Sequence, residues 1–165
     1  MAKNNPLRTF AEKALSYPEW LGLRLITFMF RFKVKLVGTL KISIIETDLK
    51  SVTFFVKNRK KVRNHIGQVH AATMALLAES ATGFVVGLNL PGDKLPLIKR
   101  MDLKYVRRSV GDMTAVAHVT DEQINLMQSE EKGDILVAVV VTDESGEEPI
   151  ICEMNWAWVS KHKKA

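Results

Sequence analysis

The spacing of apolar and polar positions changes period several times along this chain. Over the first thirty or so residues it is helical. Pro6 suits a first helical turn, Pro18 opens a second helix, and Trp20, Leu21, Leu25, Phe28, Met29 and Phe32 recur at helical intervals. This segment is expected to pack on the rest of the protein. Its basic residues leave open the alternative of a helix lying on a membrane surface. The period then becomes two. "TLKISIIETDLKSVTFFVKN" (39–58) reads as a hairpin turning at Thr47, Asp48, Leu49 and Lys50. From about Gln68 to Leu88 the pattern predicts one long helix without a polar face, stopped by "NLPGDKLP" (89–96). Strands are expected over 97–109 and 112–120, meeting at Gly111. A short polar helix over 121–133 is opened by a capping box of Thr120 and Gln123, and a last hairpin over 134–143 and 149–161 turns at Ser145 and Gly146.

A helix that is apolar all round must be covered on all sides, and a curled antiparallel sheet does that. The expected class is α+β: a hotdog fold, with the sheet wrapped around one long central apolar helix. Residues 1–165 form one domain in this reading, with 1–34 as an N-terminal helical segment packing on it. Trp156 and Trp158 share a strand face with Met154 and Cys152, a core assignment rather than a ligand cage.

Composition narrows the setting. The 165 residues are 47% hydrophobic, enough for a substantial core, and no apolar stretch reads as a transmembrane segment or a secretory leader. A cytoplasmic protein is expected. Cys152 is the single cysteine, so an intramolecular disulfide is impossible. The net charge of +6 is uneven: residues 1–63 hold 14 Lys and Arg against 4 Asp and Glu, and residues 64–165 hold 10 against 14. The densest basic run, "KNRKKVR" (57–63), could be a solvated loop or a phosphate-binding loop. It has no interleaved aromatic residue and no nucleic-acid-binding motif, so a nucleic-acid partner is not expected.

One residue breaks the apolar helix. Glu79 stands in its middle, and an ionised carboxylate in an apolar interior costs several kcal/mol unless it is paired, hydrogen-bonded or protonated. It could simply bond Ser80 or Thr82, or reach solvent where the sheet is open. The functional reading is a general base or nucleophile whose pKa is raised toward neutrality by its surroundings. Spacing adds a condition. Nine helical residues turn through about 900°, so His70 and Glu79 point in opposite directions and lie roughly 13 Å apart along the axis. If both act, each site takes its Glu from one chain and its helix N-terminus from another, which requires a symmetric oligomer, a dimer or a dimer of dimers. The helix start offers free N–H groups and the positive end of the dipole to a carbonyl oxygen. A carboxylate facing such an end is equipment for acyl transfer or hydrolysis.

The stretch "NHIGQVHAATMALLAESATG" (64–83) resembles the central motif of hotdog-fold acyl-CoA thioesterases of the phenylacetic-acid-pathway type: Asn, then Gly, then His-Gly-Gly, then an acidic residue nine after the His. The chain is most similar to the DUF4442 branch of that superfamily, from about Trp20 to Trp158. The resemblance implies that Glu79 is the catalytic carboxylate, activating water or attacking the thioester. It implies that Asn64 contacts the thioester or the water, that the Ala71 N–H binds the oxyanion, and that Gly67 shapes the turn into the helix. His70 would sit near the sulfur leaving group, an ordinary helix-start histidine being the alternative. His65 and His118 match nothing in the motif and are given structural or surface roles.

Two departures stand out. Ala71 and Ala72 replace Gly-Gly, keeping the amide but adding two methyl groups. Arg107, Arg108 and Ser109 occupy a stretch before Gly111 where the family commonly has a proline. With Lys104, these arginines are candidates for the phosphates of coenzyme A, plain solvated charges being the alternative. The expected activity is hydrolysis of an acyl-CoA thioester with no metal or redox cofactor, coenzyme A being part of the substrate. The rival, which the two alanines favour, is a catalytically silent hotdog protein that binds an acyl-CoA or another acyl ligand. A hydratase on the same fold fits the Asn64-to-Glu79 spacing less well.

Overall fold

The computed structural model describes residues 4–161, so both ends of the expected 1–165 domain lie outside the described residues. Helix α1 (Pro6–Leu15) begins where expected: the Asn5 side-chain oxygen accepts from the N–H groups of Leu7 and Arg8, and Pro6 fills the first turn. The Asn5 amide bonds the carbonyls of Gly87, Leu88 and Leu90, at the end of the central helix. Helix α2 (Glu19–Lys33) and the short α3 (Lys35–Thr39) follow.

The inward face of α2 differs from the expected one. Gly22, Ile26 and Thr27 are buried, whereas Trp20, Leu25, Phe28 and Phe32 are exposed. Two constraints select that face. Gly22 lies so close to α1 that a Cβ would meet the Ala14 carbonyl oxygen. Phe30 packs edge-on between Phe54 and Phe84, with ring centroids 5.5 and 5.1 Å away.

Six strands form one antiparallel sheet: β1 (Ser43–Thr47), β2 (Ser51–Val56), β3 (Lys94–Tyr105), β4 (Met113–His118), β5 (Gly133–Asp143) and β6 (Ile150–Ser160). Their spatial order is β1-β2-β4-β5-β6-β3, so β1 and β3 are the edges. Alternation puts Val52, Phe54 and Val56 of β2, Ala115 and Ala117 of β4, and Met154, Trp156 and Trp158 of β6 into the core. The helix they enclose is α4 (Ala71–Asn89). It is long and apolar enough to cross a membrane by length and composition, yet it is the core helix of this sheet. This is the curled sheet around a central helix that the sequence predicts.

Helix α5 (Asp121–Ser129) carries the expected Thr120–Gln123 capping box. At its other end the buried Lys94 ammonium donates to the carbonyls of Met127 and Glu130, both at 2.7 Å, a cation placed at the negative end of a helix dipole. Trp158 donates its indole N–H to the Glu130 carbonyl as well. Cys152 is half-buried, and burial together with Glu148 pushes its thiol up to about 11, so it packs as a neutral group.

Candidate functional site

The loop before α4 is built by Asn64. Its side-chain oxygen accepts from the N–H groups of Ile66 and Gln68 at 3.1 and 3.0 Å, and its backbone N–H donates to the Gln68 carbonyl at 2.8 Å. Gly67 takes φ +81°, a left-handed conformation suited to glycine, and donates to the Asn64 carbonyl. Asn64 and Gly67 thus shape the turn together. The Asn64 oxygen is occupied by the loop, which leaves its NH2 group as the part able to meet a ligand.

His70 caps the helix. Its Nδ1 accepts from the Ala72 N–H at 3.0 Å, so the neutral ring carries its proton on Nε2. The Ala71 N–H has no partner among the described residues, and both Ala71 and Ala72 are exposed. An unpaired amide at a helix N-terminus can hold a developing negative charge. Tyr105, at the end of β3, was missed by sequence reasoning: its hydroxyl donates to the Ala71 carbonyl at 2.9 Å, fixing the strand end against the helix start. Burial, and then the neighbouring Cys152, raise its pKa. Its position as the last residue of the strand, just before "VRRS", was the available signal.

Glu79 lies further along α4, half-buried, with burial raising its carboxyl above the ordinary range. The Ser80 hydroxyl opposes that shift from a long 3.4 Å. No cation pairs with Glu79 among the described residues. Ala72, Ala75, Leu76 and Glu79 recur at helical spacing and remain exposed or half-buried, so one stripe of α4 is left uncovered by the chain's own sheet. The structure places Asn64, Gly67, His70 and Ala71 together at the start of this helix. Glu79 follows eight residues after Ala71 in the same helix, about 12 Å further along its axis.

A Trp156–Thr82 pair holds the Glu79 turn. The Trp156 indole N–H donates to the Thr82 hydroxyl at 2.9 Å, and that hydroxyl in turn donates to the Ala78 carbonyl. Gly83 permits this: a Cβ there would lie 2.6 Å from the indole ring.

The basic candidates separate. Arg107 is engaged: it pairs with the buried Asp143 at 2.8 Å and reaches Ser145 at 3.3 Å. Burial pushes the Asp143 carboxyl up, but hydrogen bonds from Ser145, the Val110 N–H and Arg107 outweigh it and hold the pKa below its usual value. Lys104 and Arg108 are exposed, without an ion pair among the described residues. In the basic loop, Arg59 donates to the Leu40 carbonyl and Arg63 to Asn58, while Lys60 and Lys61 remain exposed. Among the described residues no cluster of three His, Cys, Asp or Glu is arranged to hold a metal.

A protein of unknown function from Pseudomonas aeruginosa, described as a probable thioesterase, superposes with a TM-score of 0.76 at 22% identity, over 83% of this chain and 95% of its own. A thioesterase from Haemophilus influenzae superposes with a TM-score of 0.63 at 14% identity, over 78% of this chain and 85% of its own. At such identities the likeness is one of fold. None of the curated proteins compared with the chain matches it. The profile of DUF4442, a domain of unknown function, matches residues 22–159, from inside α2 to the end of β6, and the chain therefore belongs to the DUF4442 family.

Proposed function

We propose that the protein hydrolyses an acyl-CoA thioester in a site shared between two copies of the chain. The observation that carries this reading is Glu79: a half-buried carboxyl with a raised pKa, no cationic partner among the described residues, and a place on the stripe of α4 that the sheet leaves open. Burial makes such a group a stronger proton acceptor than an ordinary carboxylate, as a general base requires. The edge strand β3 supports the second copy. It is 12 residues long and exposes Leu97, Met101 and Tyr105, an edge suited to pairing with the same strand of another chain. Antiparallel apposition of two α4 helices would bring Glu79 of one copy toward the helix start of the other.

In this mechanism Glu79 takes a proton from water as its oxygen attacks the thioester carbon. The oxyanion is met by the Ala71 N–H of the second copy, with the helix dipole behind it. The tetrahedral intermediate then breaks its C–S bond, and the proton held by Glu79 passes to the departing thiolate. The products are a free acid and coenzyme A. The Asn64 NH2 group and the His70 Nε2–H are the donors for substrate and leaving group. Lys104 and Arg108 are the cations for coenzyme A phosphates, Arg107 being committed to Asp143. The reaction needs no metal or redox cofactor, because carboxylate and amide supply all its proton and charge handling. A cytoplasmic setting, where coenzyme A thioesters form, goes with this reading.

The methyl groups of Ala71 and Ala72, exposed where the thioester would approach, favour a second reading as an acyl-CoA-binding protein without turnover. A panel of acyl-CoAs followed by free-thiol release separates the two. Thiol release lost in Glu79→Gln supports hydrolysis, and saturable binding with no release from any acyl-CoA overturns it in favour of binding alone.

A further inference from the structure

We infer that the outer face of α2 docks the protein on an anionic lipid bilayer surface. This inference is independent of catalysis. The face is apolar where a solvated helix would be polar: Phe28 is 72% exposed, Trp20 and Phe32 each 61%, and Leu36 in α3 56%. Trp20, Arg24, Phe28 and Phe32 follow one another at intervals of four, so they form a single ridge about 18 Å long. Exposed Ile45 of β1 continues the apolar surface beside Phe28. A patch of this kind on a folded surface marks an interaction site.

Charge decides what covers it. From Tyr17 to Ile42 there are five cations (Arg24, Arg31, Lys33, Lys35 and Lys41) against the single acid Glu19. Arg31 is spent on the Ile42 and Lys41 carbonyls and Ser43. Arg24 instead lies over the Trp20 ring at 5.4 Å and Lys35 over the Phe32 ring at 4.3 Å, so two cations sit at the aromatic ridge itself. Lys33 is exposed next to them. Aromatic rings at the boundary between headgroup and acyl chain, with cations level with the phosphates, are the arrangement of an interfacial helix. A protein partner would need an acidic apolar groove of matching length, whereas an anionic bilayer offers both features along its whole surface. A second copy pairing through β3 leaves this face free, because α2 packs on β1 at the opposite edge of the sheet.

The test uses the whole protein with no acyl ligand. Vesicles of phosphatidylcholine are compared with vesicles of equal parts phosphatidylcholine and phosphatidylglycerol, by co-flotation and by tryptophan emission. Trp156 and Trp158 are buried, so an emission shift reports Trp20. The expected result is binding to the anionic vesicles that weakens with added salt, with a blue shift that disappears in Trp20→Leu. The pair Phe28→Ser and Phe32→Ser should weaken partition by about tenfold or more. Lys33→Gln and Lys35→Gln should each weaken it roughly fivefold. Melting temperatures of all these exposed-site variants should stay at or above the parent value, which keeps the result readable. Two outcomes overturn the proposal: no binding to either vesicle, or Phe28→Ser with Phe32→Ser reducing the size of the oligomer in sedimentation, which would make the face a contact between copies.

Discussion

Trp156 lies beneath Gly83 of the central helix, its indole bonded to Thr82 and its ring where any side chain at 83 would have to stand. The turn that presents Glu79 is therefore held from the sheet side by one aromatic residue. Gly83→Ala should push the indole aside and lower stability by about 1–3 kcal/mol. Thr82→Val, close in volume, should lower it by about 1–3 kcal/mol because it strips the buried indole N–H of its acceptor. Urea denaturation measures both, and unchanged midpoints would show that this contact does not support the helix.

Glu79→Gln separates catalysis from structure. A positioned proton acceptor contributes about 10²–10⁴-fold, and a loss of that size in thioester hydrolysis is expected. Stability should move the other way, with a definite pH dependence. The folded state raises this carboxyl's pKa, so it binds the proton more tightly than the unfolded chain, and the group opposes folding increasingly as pH rises above about 4.3, the unfolded value. The glutamine variant should therefore melt higher than the parent at pH 8, with the gain fading as pH falls toward 4. A lower melting temperature with unchanged turnover would end the catalytic assignment.

Arg107 and Arg108 should behave differently although they are adjacent. Arg107→Ala removes the cation that pairs with buried Asp143 and should cost about 1–3 kcal/mol of stability. Asp143 has a depressed pKa, so its contribution is present above the unfolded Asp value of about 3.9 and disappears as pH falls through the folded one. Arg108→Ala, with Lys104→Ala, should leave the melting temperature unchanged and raise KM for an acyl-CoA with little effect on kcat, the raised KM approaching the parent value at high salt. Calorimetry showing equal coenzyme A affinity in parent and variant would return both residues to solvated charges.

A shared site predicts assembly. Sedimentation at micromolar concentration should show a dimer or a dimer of dimers. Ala75→Arg, which places a charge on the open stripe of α4, should weaken association by about 10²–10³-fold and abolish turnover together with it. An 18.6 kDa monomer with full activity would refute the composite site.

The elements most legible in the sequence were those specified locally. Thr120 and Gln123 announce a capping box three residues apart, Pro6 announces a helix start, and the long run from Gln68 to Leu88 becomes α4 within a few residues. The orientation of α2 was not legible, since apolar residues encircle it and periodicity selects no face. Its packing is chosen by Gly22 against α1 and Phe30 among Phe54 and Phe84, partners up to 54 residues away. The same reason hid the Arg107–Asp143 pair and the Tyr105 bond to Ala71, which join positions 36 and 34 residues apart. Glu79 was legible because it is the exception in its own helix, and the cluster from Asn64 to Ala71 because it is one continuous stretch.

The Asn5 amide that ties the start of α1 to the carbonyls of Gly87 and Leu90 also sets an order of events. Its acceptors lie 82 and 85 residues further along the chain. At about 5–20 residues per second, synthesis leaves the first helix waiting roughly 4–17 s before the far half of that contact exists. Through that interval the residues of α2 have been synthesised, while Phe84, which packs against Phe30 on its inner face, has not. The nascent chain thus exposes both sides of α2 at once, and whatever meets it first at the ribosome, a chaperone or a bilayer, encounters a more apolar segment than the finished protein shows.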